Sequence, residues 1–328
     1  MDKKLKILIL VKPFWVYPKH KVKKDIFDAL EKYANVYYWH MDGHIQDILK
    51  TMNLQPDFIF HYDIAWNTAL SPMVDGLADI DIPKGCFVID LHWQPNERIR
   101  YFTENNIDLI FSATKHPFLQ TFPNFKDQFR WLPWSINPDI MKDYGLKKEI
   151  DTLLMGLVYI DKNIQTHHRL PKVMPPKGRY AFRDTVFEQM KDEPGFVYHP
   201  HPGHLATDAQ ELIVNEDYAK ELNRTKLFFT CGGRHKTGRV AVLKFFEAPA
   251  CKTLLLAEPN EDILELGFKD KENFISCTVD DFKEKAAYYL ANEQERIRIT
   301  ENGYRFVQQH HTHDERAKQM LNEISALL

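Results

Sequence analysis

The stretch LFFTCGGRHKTGRVAVLKFFEAPACKTLLLAE, residues 227–258, gathers more potential chemistry than any other part of the chain. It reads as strand, glycine-containing loop, helix and strand. Gly232, Gly233 and Gly238 let a backbone turn sharply and approach a ligand, and a helix start after such a loop presents unpaired N–H groups with a partial positive charge. Arg234, His235, Lys236 and Arg239 crowd the same loop. Their charge-assisted hydrogen bonds suit the oxygens of a diphosphate, the plainer alternative being a solvated basic loop. Two turns along the expected helix, Glu247 stands among Phe245, Phe246, Ala248 and Ala250, where an ionised carboxylate needs a partner. That partner is either an ion-pairing residue such as Lys244 or the two hydroxyls of a ribose.

A second cluster is FVYHPHPGH, residues 196–204, at the expected end of a strand. Tyr198 and His199 are placed there either to contact a base or a phosphate or to build a structural turn. His199, His201 and His204 match no standard zinc spacing and no cysteine lies near, so no metal is expected. In the first half, the strand ends FIFHYD and VIDLHW bring His61, Asp63, Asp90 and His92 to one edge of a sheet. A carboxylate or imidazole at that edge could take a proton from an attacking hydroxyl, and Asp90 and His92 are the candidates for it. Asp90 reads equally well as a strand-end residue satisfying loop N–H groups. Trp15, Tyr17, Trp66 and Trp93 fall in nearby loops, where rings stack on sugar faces or bases, although an aromatic content of 13% supplies several such residues by chance. His61, Asp63 and Trp93 are the residues expected on the acceptor side.

These residues need elements to hold them. The first 140 residues alternate apolar runs with helical spacings, the pattern of a parallel sheet covered on both faces. Expected strands are 6–11, 36–40, 57–61, 86–91, 109–112 and 129–132. A second series starts at residues 152–158 and continues at 195–198, 227–230, 253–256 and 274–277. Pro133, Pro138 and the charged stretch 147–151 separate the two series. Residues 1–145 and 146–305 are therefore expected to form two doubly wound domains, with 306–328 a terminal helix. The apolar stripes of the last fifty residues are expected to face a core.

Bulk properties exclude several classes. The 328 residues are 44% hydrophobic and 27% charged, an ordinary globular balance, and the 43 Lys and Arg against 46 Asp and Glu leave a net charge of −3. A protein that wraps duplex nucleic acid is more basic. No apolar run approaches the roughly 18 residues of a membrane span. The N-terminal run stops at Lys12 and Pro13 without a small-residue cleavage site, which fits a first strand better than a leader. Cys86, Cys231, Cys251 and Cys277 lie far apart in mostly apolar runs and read as buried thiols of a cytoplasmic protein.

The segment LKFFEAPACKTLLLAE resembles that of group 1 GT-B glycosyltransferases in which a Glu followed by Ala-x-Ala-x-Gly binds the donor ribose. The stretch YYLANEQERIRITENGYRFVQQHHTHDERAKQML, residues 288–321, is similar to the spore-maturation and spore-coat branch, and FRWLPWSINPDIM, residues 129–141, resembles the approach to its interdomain linker. The resemblance covers about 95 residues continuously. It implies the GT-B architecture: two Rossmann-like α/β domains facing a cleft, with the C-terminal helices crossing back. It further implies that Glu247 holds the ribose, that the 234–239 loop contacts the diphosphate and that His92 contacts the donor sugar. Donor binding is thus assigned to Tyr198, His199, Gly233, Arg234, His235, Lys236, Gly238, Arg239 and Glu247, with a nucleotide diphosphate-sugar, expected UDP-linked, as substrate and no cofactor or metal. The acceptor is left open among polysaccharide, protein, small molecule and modified nucleic acid. Three positions depart from the family: Arg239 replaces the second Glu of many retaining members, Lys252 replaces a Gly, and Lys12-Pro13 replaces a glycine pair. They leave the stereochemical outcome open, and Arg239 keeps a non-catalytic nucleotide-sugar-binding protein as an alternative; a nucleotide-sugar epimerase on the same fold, which needs no acceptor, is another.

Overall fold

A computed structural model describes residues 4–62, 70–159, 180–202, 212–235 and 238–328, with only the backbone of residues 234, 235, 238 and 239. The strands are β1 (Lys6–Leu10), β2 (Asn35–Trp39), β3 (Gly43–His44), β4 (Phe58–Tyr62), β5 (Val74–Asp75), β6 (Lys84–Val88), β7 (Leu109–Ser112) and β8 (Phe129–Trp131) in the first half. The second half supplies β9 (Ile150–Gly156), β10 (Phe196–Pro200), β11 (Thr225–Cys231), β12 (Gly233–His235), β13 (Gly238–Val240), β14 (Leu254–Glu258) and β15 (Ile275–Ser276). The helices are α1 (Lys21–Glu31), α2 (Ile45–Met52), α3 (Pro95–Glu104), α4 (His116–Thr121), α5 (Ala181–Met190), α6 (Asn215–Asn223), α7 (Lys244–Ala250), α8 (Glu261–Glu265), α9 (Phe282–Ala291), α10 (Glu293–His310) and α11 (His313–Leu327).

Two large parallel sheets result, ordered β2-β1-β4-β6-β7-β8 and β10-β9-β11-β14-β15, beside the short parallel pair β3-β5. Side chains alternate across a strand, so an apolar run such as KILIL can bury both faces at once. Ile7 and Ile9 pack with Phe60 and Phe27 on one face of the first sheet, while Leu8 and Leu10 pack with Ile45 and Ile48 of α2 on the other. In the second sheet Leu153 and Phe228 face α6, α7 and α10, and Leu154 and Phe229 face α5 and α9. Helix α11 returns to the first sheet, where Ala317, Met320 and Ile324 join the core of α1 and β4. At its elbow, Ile136 N donates to the His311 carbonyl and His313 N to the Ile136 carbonyl, both at 2.9 Å, tying the linker to the returning chain.

In each sheet the strand order reverses beside the first strand of the half, β1 or β9. Crevices outside the carboxyl ends of strands at such reversals are where doubly wound folds bind ligands. Among the described residues no helix is long and apolar enough to cross a membrane, and all four cysteines are buried and unbridged.

Candidate functional site

The carboxyl edge of the second sheet gathers charge. Glu247 lies in the first turn of α7 and is 6% exposed. Burial pushes its carboxyl above the usual range, opposed by the nearby Lys244 and Lys19 ammonium groups and by the Tyr218 phenol. Burial in turn pushes Lys244 down, with Glu247 opposing that shift and Arg183 adding to it. One carboxylate thus shares its surroundings with Lys244, Lys19 and, through Lys244, Arg183.

Arg183 arrives from α5, the helix after β9. It is buried, its guanidinium 4.4 Å from the centre of the Tyr180 ring, and Nη2 donates to the Cys231 carbonyl at the end of β11 at 3.3 Å. Its buried Nε has no partner among the described residues. Gly156, at φ +147°, makes room: a Cβ there would stand 3.2 Å from Arg183 Nη1. A buried guanidinium at a strand-end crevice, with an N–H that no described residue uses, is suited to a phosphate or carboxylate.

The glycine-containing stretch departs from the sequence expectation. It does not lead straight into a helix but forms a two-stranded antiparallel hairpin, β12 with β13, and α7 starts only at Lys244. Glu247 therefore stands in the first turn of α7 instead of two turns along. The reason is local: a Cβ at Gly233 would meet Val240 Cγ2 at 2.7 Å, so glycine allows the strands to close. Helix α7 is short and carries Pro249, and the site's charge comes from side chains, not from a long helix dipole. Gly233 and Gly238 are placed in the hairpin; the side chains of Arg234, His235 and Arg239, and all of Lys236, Asp63, Trp66 and His204, lie outside the described residues.

Tyr198 and His199 are engaged inside the second domain. The Tyr198 hydroxyl donates to the Gly156 carbonyl at 2.9 Å, and His199 Nε2 pairs with Glu221 at 2.7 Å. Among the described residues of that cluster, His201 reaches the first domain, its Nε2 contacting Lys19 Nζ.

On the first sheet's edge, Asp90 is half-buried and its carbonyl accepts from Arg98 Nη1 and from Trp93 N. Its charge is felt at Lys19, and through Lys19 it shares an environment with Glu247. His92 is exposed, as is Trp93 at 47%, both in the turn before α3. His61 is not delivered to the crevice. It is 2% exposed, with Nδ1 2.7 Å from the Tyr101 hydroxyl and Nε2 2.9 Å from the Pro72 carbonyl, and burial holds its pKa down to about 4. Both ring nitrogens are used by the fold, which leaves none for an acceptor.

Sequence reasoning missed Lys19 and Arg183. Neither sits in a glycine-rich or strand-end motif, and only the return of α5 to the end of β9 and the docking of the β1–α1 turn bring them in. Lys244 had a signal, being three residues before Glu247 on one helical face.

Residues 183–322 match a family model described as glycosyl transferase-like. Comparison of the sequence with curated proteins finds no match. Among solved structures, HepE from Anabaena in complex with UDP and glucose superposes with a TM-score of 0.61 at 10% identity, covering 98% of this chain and 100% of that one. A glycosyltransferase from Rickettsia africae gives 0.58 at 11% identity over 100% and 99% of the two chains. Sucrose-phosphate synthase from Thermosynechococcus elongatus gives 0.54 at 11% over 86% and 76%. The fold is therefore that of the GT-B glycosyltransferases.

Proposed function

We propose that this protein is a glycosyltransferase that takes a sugar from a UDP-linked donor and passes it to an acceptor hydroxyl. The observation that carries the reading is Glu247. It is a buried carboxylate in the first turn of α7 with Lys244 and Arg183 close by, inside the segment that matches the glycosyl transferase-like model. In this reading its two oxygens accept from the vicinal ribose hydroxyls. Arg183, Lys244 and the basic hairpin meet the charge that develops on the leaving diphosphate, and no metal is invoked. The UDP assignment follows HepE, whose structure holds UDP and glucose. The acceptor enters from the first domain's edge, and Asp90 is the candidate to take its proton, with His92 toward the donor sugar.

Glu247→Gln keeps the shape but replaces an acceptor with a donor, so UDP-sugar affinity should fall by about 2–3 kcal/mol while the apo protein stays folded. Wild type should discriminate against a 2′-deoxyuridine donor, and the variant much less. Equal binding of the two donors by the wild type, with a lowered apo melting temperature in the variant, would make Glu247 a structural carboxylate. Product analysis completes the test: a glycoside supports transfer, whereas an epimer or unchanged UDP-sugar rejects it.

For the first domain, Asp90→Asn and His92→Ala should each lower turnover by about a hundredfold or more with nearly normal donor affinity and melting temperature. Normal turnover in both would remove them from the reaction.

A further inference from the structure

The turn Pro18–His20 connects β1 to α1 in the first domain, yet it is bonded to the second. On its own side it is anchored by His20, 1% exposed, whose ring packs edge-on against Phe14 at 6.2 Å and Tyr17 at 6.4 Å. Across the crevice, Asn215 Nδ2 at the start of α6 donates to the Pro18 carbonyl at 3.0 Å. One residue on, Lys19 Nζ contacts His201 Nε2 at the end of β10. Two successive residues of one domain are thus held by two elements of the other.

This docking places the Lys19 amine among charges from both domains: Asp90 and Lys23 from the first, Glu247 and Lys244 from the second. Its ammonium form is strongly disfavoured, first by burial, then by Lys244 and Lys23, with Asp90 and Glu247 opposing. An ammonium group crowded by other cations is costly to keep out of water, and a doubly charged anion beside it would offset that cost. Glu247 and Lys244, its neighbours here, belong to the crevice where the donor is proposed to bind.

We propose that Lys19 is a donor-phosphate ligand supplied by the first domain, so that the diphosphate is gripped from both sides and its binding is coupled to docking of the Pro18–His20 turn. The inference rests on the donor reading given above. Coupling is reciprocal: whatever undocks the turn weakens phosphate binding, and phosphate strengthens the docking. A lysine serving only as counter-ion to Glu247 would instead affect the ribose end of the ligand.

The test is calorimetric titration of wild type, Lys19→Met, Lys19→Arg and Asn215→Gly with UDP, uridine and inorganic pyrophosphate. Asn215 has φ +52°, so glycine keeps its backbone while removing the cross-domain bond. Lys19→Met should weaken UDP and pyrophosphate by about ten- to a hundredfold and leave uridine unchanged, Lys19→Arg should retain most of the affinity, and Asn215→Gly should lose a smaller part of UDP binding. UDP and pyrophosphate binding unaffected by Lys19→Met would overturn the proposal alone, as would a parallel loss of uridine. Wild type that binds pyrophosphate in a Lys19-dependent way but neither UDP nor uridine would refute the nucleotide reading and leave the phosphate site standing. Wild type that binds none of the three would overturn both.

Discussion

At about pH 4 this protein should have lost most of its stability, the loss falling mainly between about pH 6.5 and 4. Three imidazoles are responsible. Burial holds His61 down to about 4 and His313 to about 4; His311, where the Arg316 cation adds to burial, is held to about 3. An unfolded histidine takes its proton near 6.5. Below that pH the unfolded state binds protons the folded state refuses, so stability falls with pH until the folded imidazoles titrate, and levels off beneath. Holding an imidazole that far below its ordinary value costs roughly 3 kcal/mol at His61 and at His313 and somewhat more at His311, so together they approach the whole of a typical stability of about 5–15 kcal/mol. Glu247 acts with the opposite sign, because a carboxyl raised by burial is relieved when protonated, but it is one group against three. Two of the three sit at the elbow: His311 Nδ1 is 2.6 Å from Arg316 Nη2, and His313 Nδ1 is 2.7 Å from the Ser135 hydroxyl. Protonation would place a cation against Arg316 and loosen the tie between the linker and α11. Thermal melts from pH 7.5 to 4.5 read the effect, and His61→Gln should remove its share of the slope. A melting temperature that stays level from pH 7 to 5 would show that these imidazoles titrate normally.

The sheets were legible because each strand is an apolar run that a parallel sheet buries on both faces. All eleven expected strands have counterparts, including the short β15 at the sheet's edge. Periodicity also puts Ala317, Met320, Leu321, Ile324 and Leu328 on one stripe; the first four join or pack against the core, whereas Leu328 at the end of the helix is exposed. The crevice was less legible. Strand-end position suggested His61, but whether a strand-end side chain lines a crevice depends on which face it points to, and His61 points to Tyr101 of α3. Arg183 and Lys19 act at a distance in sequence from every motif, because a crevice between two sheets is assembled by the tertiary packing of turns and helix starts. Local propensity was overridden once, at Gly233–Val240, where the segment pairs with itself as a hairpin before α7 begins.

Asp262→Ala should separate the domains without unfolding either. Asp262 opens α8 in the second domain and is 1% exposed, yet its carboxylate serves the first domain: Oδ2 accepts from Lys115 N at 3.0 Å, and Oδ1 from His116 N at 3.0 Å and His116 Nδ1 at 2.8 Å. It thereby satisfies the first N–H groups of α4 across the domain boundary, as an N-cap residue would within one helix. Each bond to a charged acceptor is worth about 1.5–3 kcal/mol, and the three share one side chain, so the expected loss is about 3–4 kcal/mol and not their sum. The neighbouring Lys115–Glu265 pair is partly exposed and should contribute less than about 1 kcal/mol, which makes Glu265→Gln the control. Because the lost bonds join domains, hydrogen exchange should rise at the Lys115 and His116 amides and in α8, while the cores around Phe60 and Phe228 stay protected. Small-angle scattering should report a larger radius of gyration for the variant. Asp262→Asn, with one acceptor oxygen for three donors, should fall between. Unchanged exchange at the start of α4 in Asp262→Ala would mean that water replaces the carboxylate at no cost and that the domains are held together elsewhere.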